Sequence, residues 1–259
     1  MKRKTEILLF RWCSSHHFIV FFVTTLLLGM ICGYAISVGF QKLPNLFPYI
    51  SDTGSKPPAS CIFGMLLNLS SVFAFIIIII RHSHVEISID NYRVHTLNDI
   101  AYFFGFLTAL GAMIVSNFQE SNALLVHMIG AFMCFACGIT YSWIHLYISF
   151  LYVRVFSSKL KLWFRLAFSC LATITFISTL IGASVANIKF SKRTSNHTMI
   201  EFDSSDPGYP AHLVSTFSEW IMVISFACYF LTFYHEFKNI SSAFNISHRS
   251  GYEISAPEC

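Results

Sequence analysis

Five polar side chains sit where an apolar chain has least reason to keep them: Asp52, Asn68, Asn117, His127 and Glu219. Asn68, His127 and Glu219 interrupt long apolar stretches, Asn117 closes one, and Asp52 lies in the short segment PYISDTG, residues 48–54. A polar group at membrane depth is costly and needs a partner. One histidine with two carboxylates has the means to bind an ion, relay protons or perform acid–base chemistry. The plainer reading is that these groups hydrogen-bond one another and fasten helices together, at about 1 kcal/mol per contact. No soluble-enzyme motif accompanies them: there is no phosphate loop, dinucleotide fingerprint, HExxH or GxSxG. No catalytic residue, cofactor or metal is therefore expected. Cys134 and Cys137 form a CxxC inside an apolar stretch, where packing is the expected role, and His145 reads as an ordinary interhelical contact. His82 and His84 fall in what reads as a cytosolic loop, residues 81–96, without a complete ligand set.

The elements that must position these residues follow from composition. Of 259 residues, 55% are apolar and 12% charged, against about 25% charged in soluble domains. The apolar runs are long enough for bilayer-crossing helices, which need about 20 residues each, and too long and continuous for barrel strands. They predict an all-α fold: a polytopic membrane protein, a six-helix transmembrane bundle with spans at about 18–38, 61–80, 97–117, 123–151, 162–186 and 213–234. The whole chain is expected to be one membrane domain followed by a cytosolic tail, 235–259. The first apolar run exceeds a signal peptide's 7–15-residue core, so it reads as an uncleaved anchor.

Basic residues set the orientation. With a cytosolic amino terminus, only Lys42, Lys56, Lys189, Lys192 and Arg193 fall on the far side, and the remaining Lys and Arg are cytosolic. Both termini are thus expected in the cytosol. The net charge of +4 is explained by this juxtamembrane bias, so membrane lipids rather than nucleic acid are the expected partners. The sequon Asn196-His197-Thr198 falls in a lumenal loop and is expected to be glycosylated. Thr96 with Asp99 reads as a capping box for the third span. Phe237, Ile240 and Phe244 predict either a surface-lying helix or a frayed continuation of the last span. Gly105, Ala109 and Gly130 suit close helix approach.

Several of these residues also form a recognisable set. PYISDTG with Pro57-Pro58, LLN at 66–68, SNFQ at 116–119, His127 with Gly130, SEW at 218–220 and FLTFYHEF at 230–237 resemble the damage-regulated autophagy modulator (DRAM) family. The resemblance covers nearly the whole chain. Ser116 stands where the family commonly has alanine before NFQ, a conservative change. The resemblance implies a six-span protein of lysosomal or related membranes, with plasma-membrane relatives, that modulates autophagy without a known catalytic site. A transporter or channel using the polar residues, and a membrane enzyme acting on lipid, are the alternatives.

Overall fold

The computed structural model describes residues 14–41, 47–156, 158–191, 202, 204–238 and 240. Among these there is no strand, and six helices are long and apolar enough to cross a membrane. The long helices are α1 (His16–Gln41), α3 (Ala59–Ser88), α4 (Tyr92–Asn117), α5 (Leu124–Leu151), α7 (Lys159–Phe190) and α8 (Tyr209–Leu231). Three single turns complete the described elements: α2 (Ile50–Thr53), α6 (Val153–Phe156) and α9 (Tyr234–Phe237). Consecutive long helices pack side by side, α1 on α3, α3 on α4, α4 on α5, α5 on α7 and α7 on α8, and α8 returns to α1 to close the ring.

The helices are apolar almost all round, as lipid-immersed helices must be. Their outer faces expose Ile31, Phe103, Phe132, Ile174, Ile181 and Ile188. The inner faces are rich in small residues, which let helices approach in lipid. A Cβ added to Gly111 of α4 would lie 2.5 Å from the Cys134 backbone nitrogen and 2.6 Å from the Gly130 oxygen on α5. Gly105 meets Ile78 and Tyr141 at similar range, and Ala109 is buried. The α4–α5 hairpin is therefore drawn together by its glycines across the short link at 118–123. Buried Ser71 and Ser225 each return their hydroxyl to the carbonyl four residues earlier, so they need no partner across the bundle.

Two expectations are corrected, and a choice left open is decided. Residues 81–96 are not a loop, because α3 continues to Ser88 and only Ile89–Asn91 separate it from α4. The cause is that Arg81 and Val85 are buried within the bundle, so the helix keeps an inward face past the isoleucine run. The cap of α4 is Asn91, whose side chain accepts from the Arg93 and Val94 amides; Thr96 lies inside the helix and bonds back to Tyr92 O. Of the two readings of the tail, continuation of the last span is the one observed: after a short irregularity at Thr232–Phe233 the helical run resumes, and the apolar span extends over Tyr209–Phe237. Thr232 and Phe233 keep right-handed helical dihedrals, and Phe233 and Phe237 are fully buried. Ser15 Oγ donates to Ile240 O at 2.8 Å, tying this segment to the start of α1. Phe244 and Asn196 lie outside the described residues.

Candidate functional site: a buried loop over a polar cavity

The PYISDTG segment does not hang in solvent. Residues Ile50–Thr53 form the single helical turn α2, capped by Gly54, with Gly54 N–H on Ser51 O and Ser55 N–H on Asp52 O. Gly54 is required sterically, since a Cβ there would stand 2.3 Å from the Phe63 ring on α3. Residues 50, 52, 53, 54 and 55 are all buried, so the loop plugs one end of the bundle.

Buried backbone needs partners, and three sides of the bundle supply them. From α1, Ser37 Oγ donates to Thr53 O (2.6 Å). From α8, Glu219 Oε2 accepts the Ile50 N–H (2.9 Å) and the Trp220 indole N–H donates to Pro48 O (3.0 Å). From the α4–α5 link, Glu120 Oε2 accepts from Ser51 Oγ (2.8 Å) and Ser121 Oγ donates to Ser55 O (3.2 Å). Tyr49 O–H donates to Ser215 Oγ (2.7 Å), which donates onward to Thr179 O on α7 (2.8 Å).

Beneath the loop lies a cavity of about 280 Å³, bounded at its polar end by Asp52, Glu120, His127, His212 and Glu219. Phe132, Phe135, Phe176 and Leu180 form its apolar walls between α5 and α7. A second, apolar cavity of about 120 Å³ shares Ser51, His127 and Glu219 with it and runs toward α1 and α3. Burial raises the Asp52 carboxyl well above the usual carboxylate range, and the charges of Glu120 and Glu219 raise it further. Burial likewise raises the Tyr49 phenol, so it stays protonated as a donor. The His127 ring places Nδ1 2.8 Å from Phe118 O, which makes Nδ1 the donor and leaves Nε2 the acceptor in the neutral ring. The cavity thus offers an acidic, hydrogen-bonding end and an apolar flank.

Of the five polar residues singled out from the sequence, Asp52, His127 and Glu219 meet at this cavity. Asn68 and Asn117 do not line it. They bond each other across α3 and α4 (3.1 and 2.9 Å), with Ser116 Oγ also on Asn68 Oδ1 (2.8 Å). Their amides are mutually satisfied, which makes them a helix fastener beside the site. Tyr49, Glu120 and His212 are site residues that sequence reasoning did not single out. Glu120 carried a signal, an acid three residues past Asn117 in a very short link.

A further polar cluster at the opposite end was also missed. Arg81 and Arg165 are both fully buried and converge on Glu236 of α9. Arg81 Nη1 donates to Glu236 Oε2 (2.8 Å), and Arg165 Nη2 donates to Oε1. Arg165 also bonds Ser149 Oγ (2.6 Å) and Thr232 Oγ1 (2.9 Å). The Phe233 ring lies under both guanidinium groups, at 4.8 and 4.4 Å. His145 sits nearby, buried, with its ring against Tyr141 and Nδ1 unpaired.

Comparison with known proteins places this architecture. The family described as the Frag1/DRAM/Sfk1/Cwh43P N-terminal domain matches residues 7–240. DNA damage-regulated autophagy modulator protein 1 of Xenopus laevis is 32% identical over 216 residues, covering 82% of this chain and 86% of that protein. DNA damage-regulated autophagy modulator protein 2 of Homo sapiens is 30% identical over 214 residues, covering 82% and 80%. No solved structure matches the chain. The match takes in both the loop with its cavity and the buried arginine end, and the chain belongs to the Frag1/DRAM/Sfk1/Cwh43P family.

Proposed function

We propose that this chain is a non-enzymatic modulator of autophagy that resides in the lysosomal membrane or a related endomembrane, with both termini cytosolic. The observation that carries this reading is family membership along nearly the whole described bundle, in a family whose relatives bear the name autophagy modulator. The distribution of basic residues supports the orientation. In that orientation the loop-capped cavity faces the lumen, and Asn196 is a glycosylation acceptor on the same side. The working site is the cavity lined by Asp52, His127 and Glu219, with Asn68 and Asn117 holding α3 and α4 in place beside it. Its apolar wall contains Phe132, 58% exposed on the outer face, and Leu180, 42% exposed. A ligand for such a site is therefore an amphiphile drawn from the bilayer, with its head group at the carboxylates.

The reading is tested by deleting the protein and measuring autophagic flux under starvation, as turnover of an autophagosome marker with and without lysosomal inhibition. Deletion is expected to change flux, and re-expression of the wild type to restore it. Unchanged flux would reject the functional reading. Asn196→Gln with glycosidase treatment tests the orientation separately: the wild type is expected to lose mass on treatment and the variant to run already reduced. Identical mobility of both forms would reject a lumenal Asn196.

A further inference from the structure

We propose that the adjoining ends of α3 and α4, at the opposite end of the bundle from the buried loop, bind a divalent transition cation through His82, Glu86 and Asp99. The geometry comes from two helices, which is why no single stretch of sequence displays it. On α3, His82 and Glu86 are one turn apart; α4 returns antiparallel after only three intervening residues and presents Asp99 to the same point. His82 Nε2 is 2.9 Å from Asp99 Oδ1 and 4.0 Å from Glu86 Oε1. One ligand atom from each residue lies within 4.8 Å of the other two. Tetrahedral zinc, with ligand bonds of about 2.0–2.2 Å, holds neighbouring donors roughly 3.3 Å apart. A cation is therefore accommodated between these three by small side-chain adjustments, without moving either helix.

The surroundings hold the first ligands in place. Fully buried Asn98 donates from Nδ2 to Glu86 Oε1 (2.7 Å) and to His82 O (3.0 Å), joining both α3 ligands to α4. His95 Nδ1 stands 3.3 Å from the other Glu86 oxygen, and its Nε2 is fixed 2.6 Å from Ile89 O. Such outer contacts orient metal-binding side chains and tune their affinity. The Asp99 side chain is 71% exposed, which leaves an entry path and room for water as a further ligand. An imidazole among two carboxylates favours zinc and its neighbours over calcium and magnesium, which take larger all-oxygen sets. His84, although only two residues from His82, is directed elsewhere, toward Arg81 (3.5 Å) and the Phe156 ring.

The experiment uses the untagged full chain in detergent, stripped with chelator and dialysed against Zn(II) in excess Mg(II). About one zinc per chain is expected to be retained, and Co(II) is expected to give the visible absorption of a low-coordinate nitrogen–oxygen site. His82→Ala and Asp99→Asn are each expected to weaken zinc binding at least about tenfold, while His84→Ala binds as the wild type. Asp99→Asn changes an exposed side chain, so it gives the answer should His82→Ala fail to elute as a folded species. Failure to retain zinc over magnesium, or wild-type affinity in Asp99→Asn, overturns the proposal.

Discussion

The buried cluster of Arg81, Arg165 and Glu236 makes a prediction whose order is opposite to what side-chain size suggests. The cluster holds two guanidinium groups and one carboxylate, each with a side chain no more than 7% exposed. Replacing Glu236 by Gln keeps the shape and leaves two cations facing each other without compensation. Removing one partner of a buried ion pair costs about 3–5 kcal/mol. Replacing Arg81 by Met instead leaves Arg165 and Glu236 as a balanced pair, still held by Ser149 and Thr232. The methionine retains packing against Phe156 and Phe233, where the guanidinium stood at 4.4 and 4.8 Å. Arg81 also carries an unpaired Nε that the change removes. The expected cost of Arg81→Met is below about 1.5 kcal/mol. At roughly 2–4 °C per kcal/mol for a chain of this length, Glu236→Gln should lower Tm by about 6–20 °C and Arg81→Met by no more than about 6 °C. Thermal unfolding of the purified chain in one detergent, followed by tryptophan fluorescence, measures both. If Arg81→Met lowers Tm as much as Glu236→Gln, charge balance is not what holds this end together.

Three further outcomes follow from the other contacts. Asp52 binds its proton more tightly folded than unfolded, so its stabilising contribution is complete below its unfolded pKa, about 3.9, and is lost as pH rises through the raised folded value. Heat resistance should therefore fall as pH rises above about 3.9, with a shallower slope in Asp52→Asn; an identical slope in both removes Asp52 as the cause. Gly111→Ala puts a methyl against the α5 backbone, which cannot rotate away, and should cost about 1–3 kcal/mol; an unchanged Tm would mean that α4 and α5 separate freely. Glu219→Gln keeps an acceptor for the Ile50 N–H, whereas Glu219→Leu strands it and should cost about 1–3 kcal/mol more; equal Tm values in the two variants contradict a role for that bond.

The helices were legible because length and hydropathy alone decide them: a run such as Phe18–Val38 has no other stable use for its backbone in lipid. The loop was legible because proline, Asp-Thr-Gly and a second proline pair in an otherwise apolar chain mark a built turn. Its burial was not, since nothing in PYISDTG says that Glu219, distant in sequence, accepts its first helical amide. The arginine end was hidden by the rule that oriented the chain. Counting Arg81 and Arg165 as juxtamembrane charges treats them as solvated, and only their pairing with Glu236 of α9 shows that they are enclosed. The His82–Asp99 juxtaposition needed the register between two helices, which depends on α3 continuing to Ser88.

These features make the last helix and its appended turn the element common to both ends. At one end, Glu219 and Trp220 hold the 47–55 loop in place. At the other, Thr232, Phe233 and Glu236 receive the arginines from α3 and α7. Between them, Phe230 packs with Phe22 of α1 and Tyr141 of α5, and Tyr229 O–H donates to Ser142 O at 2.8 Å. Packed interiors respond by switching between discrete arrangements rather than by bending. Sliding α8 by one turn would therefore break the Ile50–Glu219 bond and the Arg–Glu236 pairs together. A ligand entering beside Glu219 would meet the same helix that, through Thr232 and Glu236, holds the arginines at the opposite end of the bundle.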